Sequence, residues 1–355
     1  CSSDLYKLNM NRAIFALFTI FACAAADNIR DRDYYVAKFY DWMNKFEHLR
    51  PANGERFISM LKNFANNDDI IELTNAEKLP YQLGHNEFSH MSLDEFRDYM
   101  HLGLGRSDPI EPATFIHEAP TNKASIPDSV DWSTQGAVTP VKDQGQCGSC
   151  WSFSATGALE GAYYLKNGNL KSYSEQHLVS CDTTDSGCNG GLMDNAFAWA
   201  KSNGGLCLES DYVYTSGTSG KSGSCEASSC SKDTGIAPKS YTDVQKFSDD
   251  SMMSALAQQP VSIAIEADQS AFQLYKSGVL TAACGSRLDH GVLAVGYGTW
   301  TDGTDYYKVK NSWGESWGMD GYILLERGNT DNINFRGQNA GQCGILSGPP
   351  SYPNL

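Results

Sequence analysis

The stretch Cys147-Gly-Ser-Cys-Trp-Ser-Phe153, with Gln144 three residues before it, places two thiols and the Gln144 amide within ten consecutive residues. A thiol is a poor nucleophile until it loses its proton. A reactive cysteine therefore needs a histidine that holds it as a thiolate, and a third group that orients the histidine. If Cys150 is such a cysteine, both groups must come from elsewhere in the chain.

Seven histidines are present, and only His177 and His290 follow this stretch. His177 lies among polar and apolar residues at helical spacing, which predicts a surface or half-buried structural histidine. His290 precedes the apolar run Gly291-Val-Leu-Ala-Val-Gly-Tyr297, which predicts a buried strand with the histidine at its mouth. His290 is therefore the candidate partner of Cys150. The alternative, that His290 is a core histidine with its hydrogen bonds satisfied, is less favoured.

The segment Tyr307-Lys-Val-Lys-Asn-Ser-Trp-Gly314 predicts another strand, which ends at an asparagine and a tryptophan. His290 and Asn311 follow Cys150 by 140 and 161 residues. These strips, in the order Cys, His, Asn, resemble those of papain-like cysteine proteases, whose active-site pattern the Cys147–Trp151 stretch matches.

The resemblance implies a fold and a set of roles. The fold is α+β with two lobes, a helical left lobe that supplies Cys150 and a β-barrel-like right lobe that supplies His290. Asn311 would orient the histidine and Trp313 would shield their hydrogen bond from water. The Gln144 amide and the Cys150 N–H would stabilise the oxyanion. Cys150 would open a helix, whose positive end lowers the thiol pKa.

The periodicity of the second part of the chain fits this division. Helical signals precede strand signals, as a helical lobe followed by a β lobe requires. We predict helices at 152–166, 174–181 and 191–203, and strands at 261–266, 290–299, 305–311 and 320–326.

Two other functions are compatible with the same residues. Cys147 and Cys150 have the C-x-x-C spacing of thiol–disulfide oxidoreductases, but Trp151 follows the second cysteine, whereas in thioredoxin-like proteins a tryptophan usually precedes the first. An exported binding protein that keeps these residues without using them is the remaining alternative.

Cysteine usage favours disulfides. Eleven cysteines occur, of which Cys1 and Cys23 lie in a leader segment. The remaining nine are an odd number, which predicts one free thiol in an exported protein, and Cys150 is the candidate. The other eight allow 105 pairings, among which the sequence does not choose. The family resemblance implies Cys147–Cys188, Cys181–Cys225 and Cys284–Cys343, and leaves Cys207–Cys230, with Cys225 and Cys230 exchangeable. No paired metal-binding spacing is present, so we expect no metal and no cofactor.

The leader predicts export. Residues 10–26 combine a basic start, an apolar run and small residues, as in a secretory signal peptide, so residues 1–9 are interpreted as upstream sequence outside the fold. The chain is thus predicted to be a preproenzyme of the secretory pathway, bound for a lysosome, an acidic vacuole or the extracellular space. No run is long enough to span a membrane.

Residues 27–125 resemble the inhibitory I29-like propeptide of the cathepsin L-like branch, which leaves residues 126–355 as the peptidase domain. Ile71-Glu-Leu-Thr-Asn75 and Gly84-His-Asn-Glu-Phe-Ser-His90 carry this resemblance, and His90 stands where the branch has aspartate. The alternative is an independent helical domain. We expect removal near Lys123-Ala-Ser-Ile-Pro127.

Specificity is also implied by the resemblance. No carboxylate is recognised at the base of the second pocket, around Ser347 and Gly348, which predicts a preference for Leu, Phe or Val over Arg. No occluding insertion follows Cys188, so an endopeptidase is expected. The substrate-binding candidates are Gly190, Gly191, Leu192, Met193, Ala264, Leu288, Asp289, Gly291 and Gly348.

The net charge of −15 and the pI near 4.8 argue against nucleic acid and anionic membranes as partners. The expected partners are protein and peptide substrates, the chain's own propeptide and cystatin-like inhibitors. A monomer is expected.

Overall fold

The computed structural model describes residues 28–105, 109–226, 228, 230–329, 334–335 and 337–355. The predicted upstream segment 1–9 and signal peptide 10–26 lie outside these residues.

The N-terminal part is a helical hairpin followed by an extended strap. Its helices begin at side-chain caps: Asp31 accepts from the Tyr34 N–H, and Ser92 and Glu95 form a capping box. Phe39, Trp42 and Phe64 pack together in its own small core. The elements are α1 (Arg32–Lys45), α2 (Gly54–Ala76), β1 (Tyr81–Leu83), α3 (Leu93–Met100) and β2 (Phe115–His117).

The helical lobe is built around one buried helix. Its elements are β3 (Val130–Asp131), α4 (Cys150–Asn167), α5 (Glu175–Cys181), α6 (Met193–Ser202) and α7 (Ser216–Ser219). Residues 150–163 of α4 are all buried. A Cβ on Gly157 or Gly161 would lie 2.8 Å from the Leu293 side chain or 2.7 Å from Pro260. Glycine at these positions thus lets α4 lie directly on the β lobe.

The β lobe carries most of the strands. Its elements are β4 (Ser240–Val244), α8 (Asp249–Leu256), β5 (Val261–Ile265), α9 (Ser270–Gln273), β6 (Tyr275–Leu280), β7 (His290–Thr299), β8 (Asp305–Lys310), β9 (Tyr322–Glu326), β10 (Asn334–Phe335), β11 (Gln338–Asn339) and β12 (Ser351–Asn354). The main sheet has the order β1-β6-β9-β8-β7-β5-β12-β4-β2, and β3 pairs with β7.

The N-terminal part covers both edges of this sheet. Strand β1 pairs antiparallel with β6, and β2 pairs parallel with β4. An exposed strand edge offers unpaired backbone groups. The two short strands of the N-terminal part therefore cover the edges that β6 and β4 would otherwise expose. Between them, Phe88 and Phe96 pack edge-on against Trp313, with ring centroids 6.0 and 5.4 Å away.

The predicted α+β fold is confirmed, and the predicted elements agree with the structure to within two residues. The strand predicted at 320–326 begins at Tyr322, because Asp320 and Gly321 take positive φ angles in a turn. The prediction for His177 was wrong. It is fully buried, with the Cys207 N–H donating to its Nδ1 at 3.1 Å, because tertiary packing covers both faces of the short helix α5.

Candidate active site

Cys150 is the first residue of α4, where backbone N–H groups have no intrahelical partner. The Cys147–Cys188 disulfide ties the preceding loop to the chain around Gly190. The Sγ atom of Cys150 accepts a hydrogen bond from the Gly291 N–H at 3.3 Å. The thiol of the helical lobe therefore meets the start of strand β7 of the β lobe.

His290, the first residue of β7, is fully buried beside this contact. Its Nε2 donates to Asn311 Oδ1 at 2.8 Å, and that oxygen also accepts from the Ser312 N–H at 2.8 Å. Trp313 stacks on the imidazole, with centroids 4.8 Å apart. Nδ1 has no hydrogen-bond partner in the part of the chain that the structure describes, so it is the ring nitrogen left to act as a base.

Gln144 links the two lobes. Its Oε1 accepts from Ser312 Oγ at 2.7 Å, and its Nε2 donates to the Cys147 carbonyl at 3.1 Å. Sequence reasoning missed two groups here. Ser312 lies within a strip that had been recognised, whereas Tyr214 donates from its hydroxyl to the Gln144 carbonyl at 2.8 Å and had no signal in the sequence.

The strap, by which we mean residues 101–105 after α3, crosses Cys150. The Gly191 N–H donates to the Gly103 carbonyl at 3.1 Å, and the Gly105 N–H donates to the Gly191 carbonyl at 2.7 Å. The Leu104 N–H donates to the Asp289 carbonyl at 3.3 Å. The strap therefore takes the backbone groups that an extended peptide would use in strand addition.

Burial keeps the two reactive groups neutral under the strap. It raises the pKa of the Cys150 thiol from its ordinary value of 9.0 to about 11, although the Gly291 and Gly103 N–H groups oppose it. It lowers the pKa of His290 from 6.5 to about 4, against the Asn311 hydrogen bond. The expected lowering of the thiol pKa by the helix is thus not seen in this form, since exclusion of water outweighs the helix terminus.

The neutral state of Cys150 and His290 is expected to slow alkylation of the thiol. With its pKa raised to about 11, the thiol has a thiolate fraction below pH 9 that is about 100-fold smaller than at its ordinary pKa. We expect iodoacetamide to modify Cys150 of the full-length chain at least about 100-fold more slowly than after removal of the N-terminal part. Mass spectrometry of the Cys150 peptide at pH 6–8 measures both rates, and equal rates would contradict this prediction.

A cavity of about 530 Å³ lies beside the strap. Five of the predicted substrate-binding residues line it, namely Leu192, Met193, Ala264, Leu288 and Gly348. The other four lie around it: Gly191 bonds to the strap, Gly190 abuts the Gly103 carbonyl, Gly291 contacts the Cys150 thiol, and Asp289 lines an adjoining cavity.

A carboxylate also lines this cavity, although none was recognised at its base around Ser347 and Gly348. Asp194, in the first turn of α6, lines it and accepts a hydrogen bond from Ser351 Oγ. Burial raises the pKa of Asp194 to about 7. The sequence places Asp194 beside Met193 but does not show which side chain of the turn faces the cavity.

The structure contains the three disulfides that the resemblance implies, Cys147–Cys188, Cys181–Cys225 and Cys284–Cys343. It also contains Cys207–Cys230, the pair that was left over, so Cys225 and Cys230 do not exchange partners. Cys150 is the free cysteine among the described residues. Within those residues, no group of three or more His, Cys, Asp or Glu side chains is arranged to hold a metal ion. None of the helices described has the length and apolar character needed to cross a membrane.

The site is that of a cysteine protease in its proform, because it combines a buried thiol, an imidazole held by an amide and a strap that lies across both. Residues 126–350 match the papain family cysteine protease domain, and residues 39–96 match the cathepsin propeptide inhibitor domain (I29). The chain belongs to the papain family, and the cathepsin L-like resemblance is confirmed.

The most similar proteins include plant proteases. The chain is 40% identical over 347 residues to the senescence-specific cysteine protease SAG39 of Oryza sativa subsp. indica, covering 95% of this chain and 97% of that one. It is 42% identical over 323 residues to the cysteine protease XCP2 of Arabidopsis thaliana, covering 90% and 86%.

Proforms of known structure share the fold. The recombinant stem bromelain precursor superposes with a TM-score of 0.80 at 33% identity, over 90% of this chain and 99% of that one. The proform of the ragweed pollen allergen Amb a 11, a cysteine protease, gives 0.77 at 32% identity, over 92% and 96%.

Proposed function

We propose that the chain is a thiol-dependent endopeptidase zymogen in which Cys150 is the nucleophile and residues 27–125 inhibit a peptidase domain formed by residues 126–355. The observation that carries the assignment is the Gly291 N–H···Sγ contact, which holds Cys150 against the residue next to the Asn311-bound His290. Four disulfides support a place in the secretory pathway, in an acidic vacuole or outside the cell.

The catalytic steps follow from the hydrogen bonds. His290 Nδ1 takes the thiol proton, and the thiolate attacks the scissile carbonyl to form a tetrahedral adduct. The Cys150 N–H and the second Nε2 hydrogen of Gln144 stabilise the oxyanion. The imidazolium then gives its proton to the leaving amine, and water hydrolyses the thioester. Asn311 and Trp313 hold the ring in place throughout.

Substrate preference tests this proposal and has a pH dependence. The cavity walls are mainly apolar, so Leu or Phe at the second non-primed position is favoured over Arg. Because burial raises the pKa of Asp194 to about 7, its carboxyl is neutral in acid and charged above pH 7. We expect the Leu-to-Arg ratio of kcat/KM to fall severalfold between pH 5 and pH 8.

Fluorogenic peptides that differ only at this position measure the ratio with the mature enzyme. Asp194→Asn is expected to make the ratio independent of pH, whereas Asp211→Asn, at an exposed aspartate, keeps the wild-type profile. Preferred cleavage of the peptide with Arg at the second non-primed position at pH 5 would contradict the apolar pocket. No cleavage of any peptide would contradict the protease assignment.

His90 makes the propeptide sensitive to acid. Its ring is buried 5.2 Å from the Trp42 ring, and Nδ1 donates to the Glu87 carbonyl at 2.8 Å. Burial lowers its pKa from 6.5 to about 4, against the hydrogen bond to the Glu87 carbonyl. The folded state thus favours neutral His90. This stabilisation is complete above pH 6.5 and is lost as the pH falls towards 4.

The lost stabilisation amounts to up to about 3 kcal/mol. We expect His90→Asn in a Cys150→Ser zymogen to reduce, by up to that amount, the stability lost between pH 7 and pH 4. Urea unfolding followed by tryptophan fluorescence measures it. His48→Asn, at an exposed propeptide histidine, is the matched control. An unchanged pH dependence in His90→Asn would place the acid trigger at other groups.

A further inference from the structure

One propeptide side chain, the half-buried Arg97, contacts an acidic part of the peptidase domain. Arg97 of α3 donates from Nε to the Asp268 carbonyl at 3.0 Å, and the same nitrogen lies 3.5 Å from Asp268 Oδ2. Asp268 lies in the loop between β5 and α9, and its side chain is only 8% exposed. A surface ion pair contributes little, but this carboxylate is largely removed from water.

The order of residues along the strap indicates where this contact lies relative to Cys150. The strap pairs with Gly191 through Leu104, crosses Cys150 at Gly103, and is preceded by α3 with Arg97. Arg97 therefore stands on the primed side, where the part of a substrate after the scissile bond would lie.

The space around Arg97 is a cavity of about 240 Å³. Asp289, which precedes the catalytic histidine, lines it, and its Oδ2 is buried without a hydrogen-bond partner in the described part of the chain. The residues around the cavity are Arg97, Leu102, Leu104, Asp268, Arg287, Leu288 and Asp289. Three of these leave with the propeptide.

Removal of the propeptide changes the charge of this cavity. Arg97 leaves, and the Asp268 carbonyl and carboxylate lose a donor. Arg287 still pairs with Asp268. The Arg287 side chain is 74% exposed, so it does not fill the space that Arg97 leaves. A buried carboxylate that loses a partner is destabilised, so an incoming cation is favoured.

We propose that Asp268 selects a basic substrate side chain on the primed side, and that Arg97 occupies this subsite in the zymogen. A substrate guanidinium would donate to the same carbonyl and carboxylate that Arg97 uses. The inference rests on the proposed protease function, and it names a specificity-determining residue for it.

The test uses the mature enzyme and internally quenched peptides with one fixed non-primed half. Arg, Gln or Glu is placed at each of the first three primed positions in turn. We expect kcat/KM at one position to be about tenfold higher for Arg than for Glu. The desolvated Asp268 carboxylate attracts the positive charge of Arg and repels the negative charge of Glu. Asp268→Asn is expected to reduce this ratio to below about threefold.

Asp250→Asn is the matched control. Asp250 also pairs with a propeptide residue, Lys123, but does not line the cavity, so its Arg-to-Glu ratio should equal that of the wild type. Arg287→Gln removes the competing cation and is expected to raise the ratio, which keeps the test decisive if Asp268→Asn does not fold.

Similar rates for Arg and Glu at all three positions would overturn the proposal while other peptides are still cleaved. A ratio that survives Asp268→Asn, or that Arg287→Gln leaves unchanged, would do the same. Failure of the wild-type enzyme to cleave any peptide would overturn the protease function itself, which distinguishes the two.

Discussion

Replacement of Cys150 by serine is expected to reduce kcat/KM for peptide hydrolysis by roughly 10⁴-fold or more, the scale on which loss of a nucleophile acts in a comparable hydrolase. The hydroxyl has a far higher pKa than the thiol, so His290 cannot hold it ionised. The fold should persist, because the serine Oγ is of similar size and can accept from the Gly291 N–H as Sγ does.

The measurement needs processing by a second protease, since the variant is not expected to process itself. Wild-type chain that is processed and purified identically is the control. Thermal unfolding of both forms checks that the variant is folded. Residual activity within about tenfold of the wild type would contradict a thiolate mechanism at Cys150.

Replacement of Gly103 by valine is expected to abolish the latency of the zymogen. A Cβ at Gly103 would lie 2.0 Å from the Gly148 carbonyl oxygen, which is backbone and has little freedom to move. The strap must therefore lift from Cys150, and water and reagents reach the thiol. We expect the rate of Cys150 alkylation in the full-length chain to rise by about 100-fold, towards that of the mature enzyme.

Gly54→Ala is the matched control, because a Cβ at Gly54, in the same propeptide, meets no atom within 4 Å. Its alkylation rate should equal that of the unmodified zymogen. A Gly103→Val zymogen that remains as slow as the wild type would show that the strap is not what shields Cys150.

The reactive groups could be predicted from the sequence because each lies at the end of a regular element. Cys150 opens α4, His290 opens β7, and Asn311 directly follows β8. Periodicity finds such elements, and the resemblance to papain-like proteases implied the chemistry at their ends. The disulfide pairs came from the resemblance alone, since the spacing of the cysteines left 105 pairings open.

The contacts on which the proposed specificity and latency rest were not predictable, because they join residues far apart in the chain. Arg97 and Asp268 are 171 residues apart, and Tyr214 and Gln144 are 70 residues apart. Nothing local marks either pair. The direction of the Asp194 side chain and the burial of His177 likewise depend on which tertiary neighbours cover a short helix.

The central claim is that one thiol, Cys150, performs the chemistry once the strap is removed. The most direct measurement titrates the acid-processed enzyme with iodoacetamide, and follows peptide cleavage and the modified cysteine by mass spectrometry in the same samples. We predict that activity falls in proportion to a single modification at Cys150. Activity that survives complete modification of Cys150 would contradict the account.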